Sequence, residues 1–172
     1  MTEIVFTPIG IVRSPHHNLR DMPIQPVGAR GIRGTIELDP AWSAGLKDLE
    51  GFSRIILLYH FHRSEGYALE VVPFLDKTPR GVFATRAPRR PNAIGISILR
   101  LTAVCGMTLY VEDVDILDGT PVLDIKPYVP AFDAHPDERA GWLAENSGAA
   151  RTMRSDDRFC DTGEQKHSTG RV

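Results

Sequence analysis

The chain has 172 residues, 42% of them hydrophobic, and a formal net charge of −2; this suits one domain with a real core and excludes a globally basic nucleic-acid coat, so any RNA contact must come from a local patch. Cys105 and Cys160 form no CxxC or zinc-finger spacing, which suits a reducing compartment rather than a disulfide scaffold. Met1-Thr2-Glu3-Ile4 has no signal-peptide character and no apolar run approaches the ~18 residues of a membrane span, so a cytoplasmic protein is expected.

In chain order, Ile4 to Arg13 is β-branched and apolar but interrupted by Pro8 and Gly10, which predicts an edge or bulged strand. Ser14 to Ala29 carries Pro15, Pro23, Pro26 and Gly28 and reads as a long loop of the kind that often carries function. Ile32, Ile36 and Leu38 alternate with Arg33, Thr35 and Glu37, the period of a half-buried strand. Asp39-Pro40 is a cap and first-turn pair for a short helix from Ala41 to about Leu49, stopped by Gly51. Phe52 to Phe61 is apolar on both faces, so this strand is central or partly covered by another subunit.

His60 and His62 share a face at its end, but no carboxylate or cysteine is spaced to complete a coordination shell, so no metal is expected and hydrogen-bonding histidines are the better reading. Leu69 to Leu75 and Gly81 to Thr85 read as short extended segments. After Leu101, two extended segments to Cys105 and over Leu109–Leu117 are separated by a Gly106 turn. Asp118-Gly119 then reads as a hairpin turn into Val122–Pro127. A helix is expected from about Pro136 to Ala144 within a short helical extension over 134–150, and the polar residues 151–172 read as a loose tail. Many short strands against few short helices predict a mainly β, single-domain β-barrel.

The organising stretch is Thr85 to Leu101. Pro88 and Pro91 stiffen a loop that displays Arg86, Arg89 and Arg90, Asn92 can close a turn, and Gly95 admits a close approach just before Ile96, Ile98 and Leu99. The plain alternative is a solvated basic loop leading into a strand. No GxGxxG lies between a strand and a helix, and Walker A, GxSxG and HExxH are absent, so Rossmann, P-loop and common hydrolase chemistry are not supported.

Pro8-Ile9-Gly10 with Arg13-Ser14-Pro15, Pro23-Ile24-Gln25, the run Arg86 to Ser97, Leu117 to Pro121 and Asp124 to Tyr128 together resemble the TsaA-like domain family over residues 4–133. The resemblance implies a non-Rossmann β-barrel methyltransferase that uses S-adenosylmethionine, acts as a homodimer, and methylates N6 of threonylcarbamoyl-adenosine beside the anticodon of tRNA. Carried over by motif, the cofactor contacts fall on Pro23, Ile24, Gln25, His62, Arg63, Arg86, Ile96, Asp118, Gly119, Thr120 and Pro121. Arg86 suits the ligand's carboxylate and Asp118 its hydroxyl or ammonium groups. Candidates for the tRNA are Arg89, Arg90 and Lys126 at phosphates, with Asn92 and Tyr128 near the base. The group that takes the N6 proton is left open among Asp118, His62 and Asp133. Ala93 stands where the family usually has a second proline, and the bacterial members' folded carboxy-terminal extension has no clear counterpart after Ala131. A methyltransferase for another acceptor, or a non-catalytic nucleotide- or RNA-binding barrel, are the competing readings.

Overall fold

A computed structural model describes residues 3–160. Six strands close a barrel: β1 (Gly10–Arg13), β2 (Arg33–Leu38), β3 (Arg54–His60), β6 (Ile94–Cys105), β7 (Thr108–Glu112) and β8 (Pro121–Pro127), in the spatial order β1-β2-β7-β6-β3-β8. Two further strands, β4 (Glu70–Val71) and β5 (Arg80–Gly81), pair outside it. Among the described residues, no helix is long and apolar enough to cross a membrane.

Alternation fills the interior. On β3, Ile55, Leu57 and Tyr59 point inward while Ile56 and Leu58 stay half-buried outside, so the strand is central between β6 and β8. On β6 the inward set is Gly95, Ser97, Leu99 and Leu101. With Val12, Ile36, Leu109, Val111 and Val122 these residues make the core.

Several local expectations change. The first strand is confined to Gly10–Arg13, and Ile4, Val5 and Phe6 are exposed; Pro8 can donate no ladder hydrogen bond. The segment after Asp39 is a 3-10 helix over Pro40–Leu46, with the Asp39 carboxylate accepting from Ala41 N, rather than an α-helix. Gly81–Thr85 is mostly a 3-10 turn over Val82–Ala84.

Asp118-Gly119 does not join a hairpin: β8 pairs with β1 and β3, not with β7. Gly119 alone takes the left-handed conformation, with φ 76°, in a turn closed by Thr120 N donating to Leu117 O. The two-residue signal gives the chain reversal but not the strand's partner.

No α-helix forms over 136–144; Pro130–Asp133 is the one α-helical turn among the described residues, followed by 3-10 turns. Gly141 sits at φ 58°, which interrupts an α-helix there. Residues 161–172 lie outside the described residues. Residues 151–160 pack back on the domain: Phe159 is buried against Val71, Val82 and Ala87, and its ring meets Phe74 edge-on at 5.1 Å. Arg158 Nη1 donates to Pro73 O at 2.8 Å, and Ser155 Oγ donates to Leu19 O at 2.6 Å.

Candidate functional site

The proline-stiffened loop is fixed from within. Buried Thr85 donates through Oγ1 to Val82 O at 2.9 Å and accepts from Ala87 N at 3.2 Å. Arg90 turns inward, its Nη1 donating to Thr85 O at 2.9 Å and to Val82 O and Ala87 O at 3.3 Å, so it holds the loop's shape. Arg86 remains exposed, and its Nη1 donates to Gln25 Oε1 at 2.8 Å. That bond ties the loop to the Pro23-Ile24-Gln25 segment.

Three adjoining hollows meet here. One, of about 470 Å³, lies between Ile24, Gln25 and Arg86 on one side and Trp142, Leu143 and Phe159 of the carboxy-terminal segment on the other. A second, of about 180 Å³, is bordered by Ile24, Gln25, Arg86, Arg90 and Ile96. A third, of about 80 Å³, is bordered by His62, Arg63, Ser64 and Thr120. Tyr59, Phe61 and Asp115 belong to the walls of both the second and the third.

Seven of the eleven expected cofactor residues thus come together. The other four border none of these hollows. Pro23 is buried and bridged to Arg154. The Asp118 carboxylate accepts from Ser14 N at 3.1 Å and lies 3.6 Å from His17 Nδ1. Gly119 closes its turn, and Pro121 pairs with Ile11. Their contribution from within one chain is the shape of the turns beside Thr120.

The tRNA candidates divide likewise. Asn92 is exposed on the loop, and half-buried Arg89 donates through Nη2 to Cys160 O at 3.4 Å. Lys126 lies 2.7 Å from Asp124, and Tyr128 N donates to Arg54 O. In the register β8 runs from Val122 opposite Tyr59 to Pro127 opposite Ile55, so within one chain Lys126 and Tyr128 stand toward the opposite end of β3 from Tyr59 and the two smaller hollows. Asp133, whose carboxylate accepts from Val129 N at 2.6 Å, borders none of the three hollows.

The polar residues that sequence reasoning missed are Tyr59, Ser97 and Asp115. Ser97 Oγ donates to Asp115 Oδ1 at 2.7 Å, and Tyr59 Oη lies 3.2 Å from Ser97 Oγ. Burial, reinforced by the Asp115 charge, holds the Tyr59 phenol far above its ordinary 10.0, and because Ser97 gives its own proton to Asp115, Tyr59 is the donor to Ser97. Burial pushes the Asp115 carboxyl up to about 7, against the opposing pull of the Ser97 hydrogen bond and the Arg86 charge. His62 is held below its ordinary value by burial, then by Arg63 and His60, and stays neutral at neutral pH. A signal for Asp115 existed: in an extended 109–117 segment, Asp113 and Asp115 share the face of Leu109 and Val111, and an acid on a core face calls for a partner or a function.

These residues fit S-adenosylmethionine. Arg86 with Gln25 offers donors to a carboxylate, Ser64 Oγ is buried without a hydrogen-bond partner among the described residues, and Asp115 sets on the wall of both smaller hollows a carboxylate that suits a cationic group.

Comparison with known proteins agrees with the barrel. Residues 11–134 match the tRNA-methyltransferase O N-terminal domain. A probable S-adenosyl-L-methionine-binding protein of Pyrococcus abyssi is 53% identical over 91% of this chain and 85% of its own length. The tRNA (adenine(37)-N6)-methyltransferase of Escherichia coli is 37% identical over 87% of this chain and 68% of its own. A crystal structure of TrmO from Pseudomonas aeruginosa superposes with a TM-score of 0.69 at 41% identity, covering 82% of this chain. The chain spans 63% of the length of that structure. With the family model matched over most of its length, the chain belongs to the family of the tRNA-methyltransferase O N-terminal domain.

Proposed function

We propose that this S-adenosylmethionine-dependent methyltransferase acts in the cytoplasm on tRNA, methylating N6 of threonylcarbamoyl-adenosine beside the anticodon. The observation that carries the reading is the convergence of Ile24, Gln25, Arg86 and Ile96 with His62, Arg63 and Thr120 around one shared wall of Tyr59, Phe61 and Asp115. The similarity to the Escherichia coli tRNA (adenine(37)-N6)-methyltransferase supports the acceptor.

When bound, S-adenosylmethionine supplies an electrophilic methyl group on a sulfonium. Arg86 and Gln25 would hold its amino-acid end, Ser64 a hydroxyl, and Ile24, Phe61 and Ile96 its flat or apolar parts. Positioning and electrostatics do the rest, since neither hollow next to Asp115 is bordered by a cysteine and Ser97 is committed to Asp115. Arg89 and Asn92, on the loop beside the hollows, would meet the anticodon arm.

The deciding assay incubates the pure protein and labelled cofactor with tRNA carrying the threonylcarbamoyl group and with tRNA lacking it; only the first should be methylated. Methylation of neither, despite cofactor binding, would transfer the reading to another acceptor, and equal methylation would mean that the threonylcarbamoyl group is not recognised.

The same proposal includes a homodimer. Ile56 and Leu58 on the outer face of β3 stand in register with Ile98 and Ile96 on β6, an apolar strip beside the second hollow that an isologous interface would cover. Light scattering should give twice the chain mass at micromolar concentration; a monomer mass would defeat this part.

A further inference from the structure

Resting on the proposed methylation of a nitrogen, we infer that the Asp115 carboxylate is the base that accepts the acceptor's proton, and that Ser97 and Tyr59 are positioning residues that aim it. Asp115 is the only carboxyl group on the wall of either of the two smaller hollows among the described residues, and it belongs to both. A ligand that reaches from Arg86 in the second hollow to Ser64 in the third passes this carboxylate.

Asp115 is oriented by a directed chain, Tyr59 donating to Ser97 and Ser97 to Asp115 Oδ1 at 2.7 Å. Among the described residues, the one side-chain hydrogen bond to the Asp115 carboxylate is that from Ser97, to Oδ1. The other two carboxylate candidates are spoken for: Asp118 is bound to Ser14 N and faces His17, and Asp133 caps Val129 N.

The step balances. The acceptor nitrogen gains the methyl carbon and loses its proton, the electron pair of the broken carbon–sulfur bond stays on sulfur as a neutral thioether, and the proton passes to the Asp115 carboxylate and then to solvent. An N6 nitrogen flanked by a purine and a carbamoyl carbonyl is a poor nucleophile while protonated, so its proton must leave as the bond forms.

The ionisable groups facing Asp115 are Tyr59 from β3, Arg86 and Arg90 from the proline-stiffened loop, and His62 and Arg63 beyond β3. Tyr59 stays neutral. Arg86 favours the carboxylate, as the ligand's sulfonium would.

The test uses Asp115→Asn and Ser97→Ala in the full chain with threonylcarbamoyl-tRNA. Asp115→Asn should lower kcat about 10²–10⁴-fold, keep S-adenosylmethionine affinity within about tenfold by calorimetry, and abolish the rise of activity with pH below neutrality. Ser97→Ala should lower kcat more than it raises KM and move that rise to higher pH, because the Ser97 bond favours the ionised form; a merely structural serine would leave the rise in place. Independently of activity, the Asp115 carboxyl carbon in the cofactor-free protein should titrate near neutrality by NMR. Turnover near wild type in Asp115→Asn, a parallel collapse of cofactor affinity, titration in the ordinary carboxylate range, or loss of the pH rise in His62→Gln with its retention in Asp115→Asn would each overturn the assignment. Asp115→Asn at wild-type rate on threonylcarbamoyl-tRNA would do so with the acceptor reading intact, whereas a wild-type protein inactive on that tRNA would remove the reading and this inference together.

Discussion

Arg86→Ala is expected to weaken S-adenosylmethionine binding by ~1.5–3 kcal/mol, roughly ten- to a hundredfold, the worth of a lost charge-assisted hydrogen bond. Arg100→Ala should leave that binding unchanged. The two arginines share one run of sequence but not one place: Arg100 lies in mid-β6, paired opposite Arg54 at the start of β3, and bonds Glu112, whereas Arg86 is held by Gln25 at the mouth of two hollows. Because Arg86 is exposed, its removal should hardly move the melting temperature, so calorimetric affinity is read without a folding correction. Arg86→Lys should restore only part of the loss, since a lysine keeps the charge but not the fork that can engage Gln25 and a carboxylate together. Losing Arg86 also removes a charge that favours ionised Asp115, so the rise of activity with pH should move upward. Equal losses of affinity at Arg86 and Arg100 would show that the cofactor does not lie along this loop.

The barrel was legible where period-2 alternation specified a face, as on β2; on β3, apolar residues on both faces marked a covered strand without telling which side points inward. It was illegible where a local signal had to choose a distant partner: Asp118-Gly119 made its turn, yet β8 went to β1 and β3 because closure of the barrel, not the turn, sets strand order. The packing of residues 151–160 was hidden because composition averages over a segment, while Phe159, Ser155 and Arg158 each make one specific anchor.

The site was half legible. The resemblance carried the rim residues Gln25, Arg86 and Thr120, but Tyr59, Ser97 and Asp115 come from three strands or loops far apart in sequence, and only the register brings them together. Stability should record the same burial. Asp115 ionises at about 7 in the fold against an ordinary 3.8 in the unfolded chain, so between those values the folded protein holds the extra proton. Its contribution is then fully present below pH 3.8 and is lost as pH rises to about 7.

Gly95→Ala should destabilise the fold by ~1–3 kcal/mol and disturb the site at once. A Cβ at Gly95 would lie 2.3 Å from Tyr59 Cε2, 2.5 Å from Tyr59 Cζ and 2.9 Å from Phe61 Cζ. Backbone conformation is not the obstacle, since Gly95 has no positive φ, and an alanine would on entropy alone favour a strand by ~0.5–1 kcal/mol. The steric term outweighs this, because the two rings have little room to yield. Tyr59 is 6% exposed, stands edge-on to Phe61 with centroids 5.4 Å apart, and is tethered through its hydroxyl to Ser97. Any movement that relieves the contact therefore pulls the hydroxyl from Ser97 and loosens the chain that ends on Asp115. Gly95→Ala should accordingly lower the denaturation midpoint and turnover together. Tyr59→Leu removes the offending ring atoms, so the double variant should lose less stability than the two single losses added. A Gly95→Ala protein as stable and as active as the wild type would mean that the ring and the strand do not approach as closely as this packing requires.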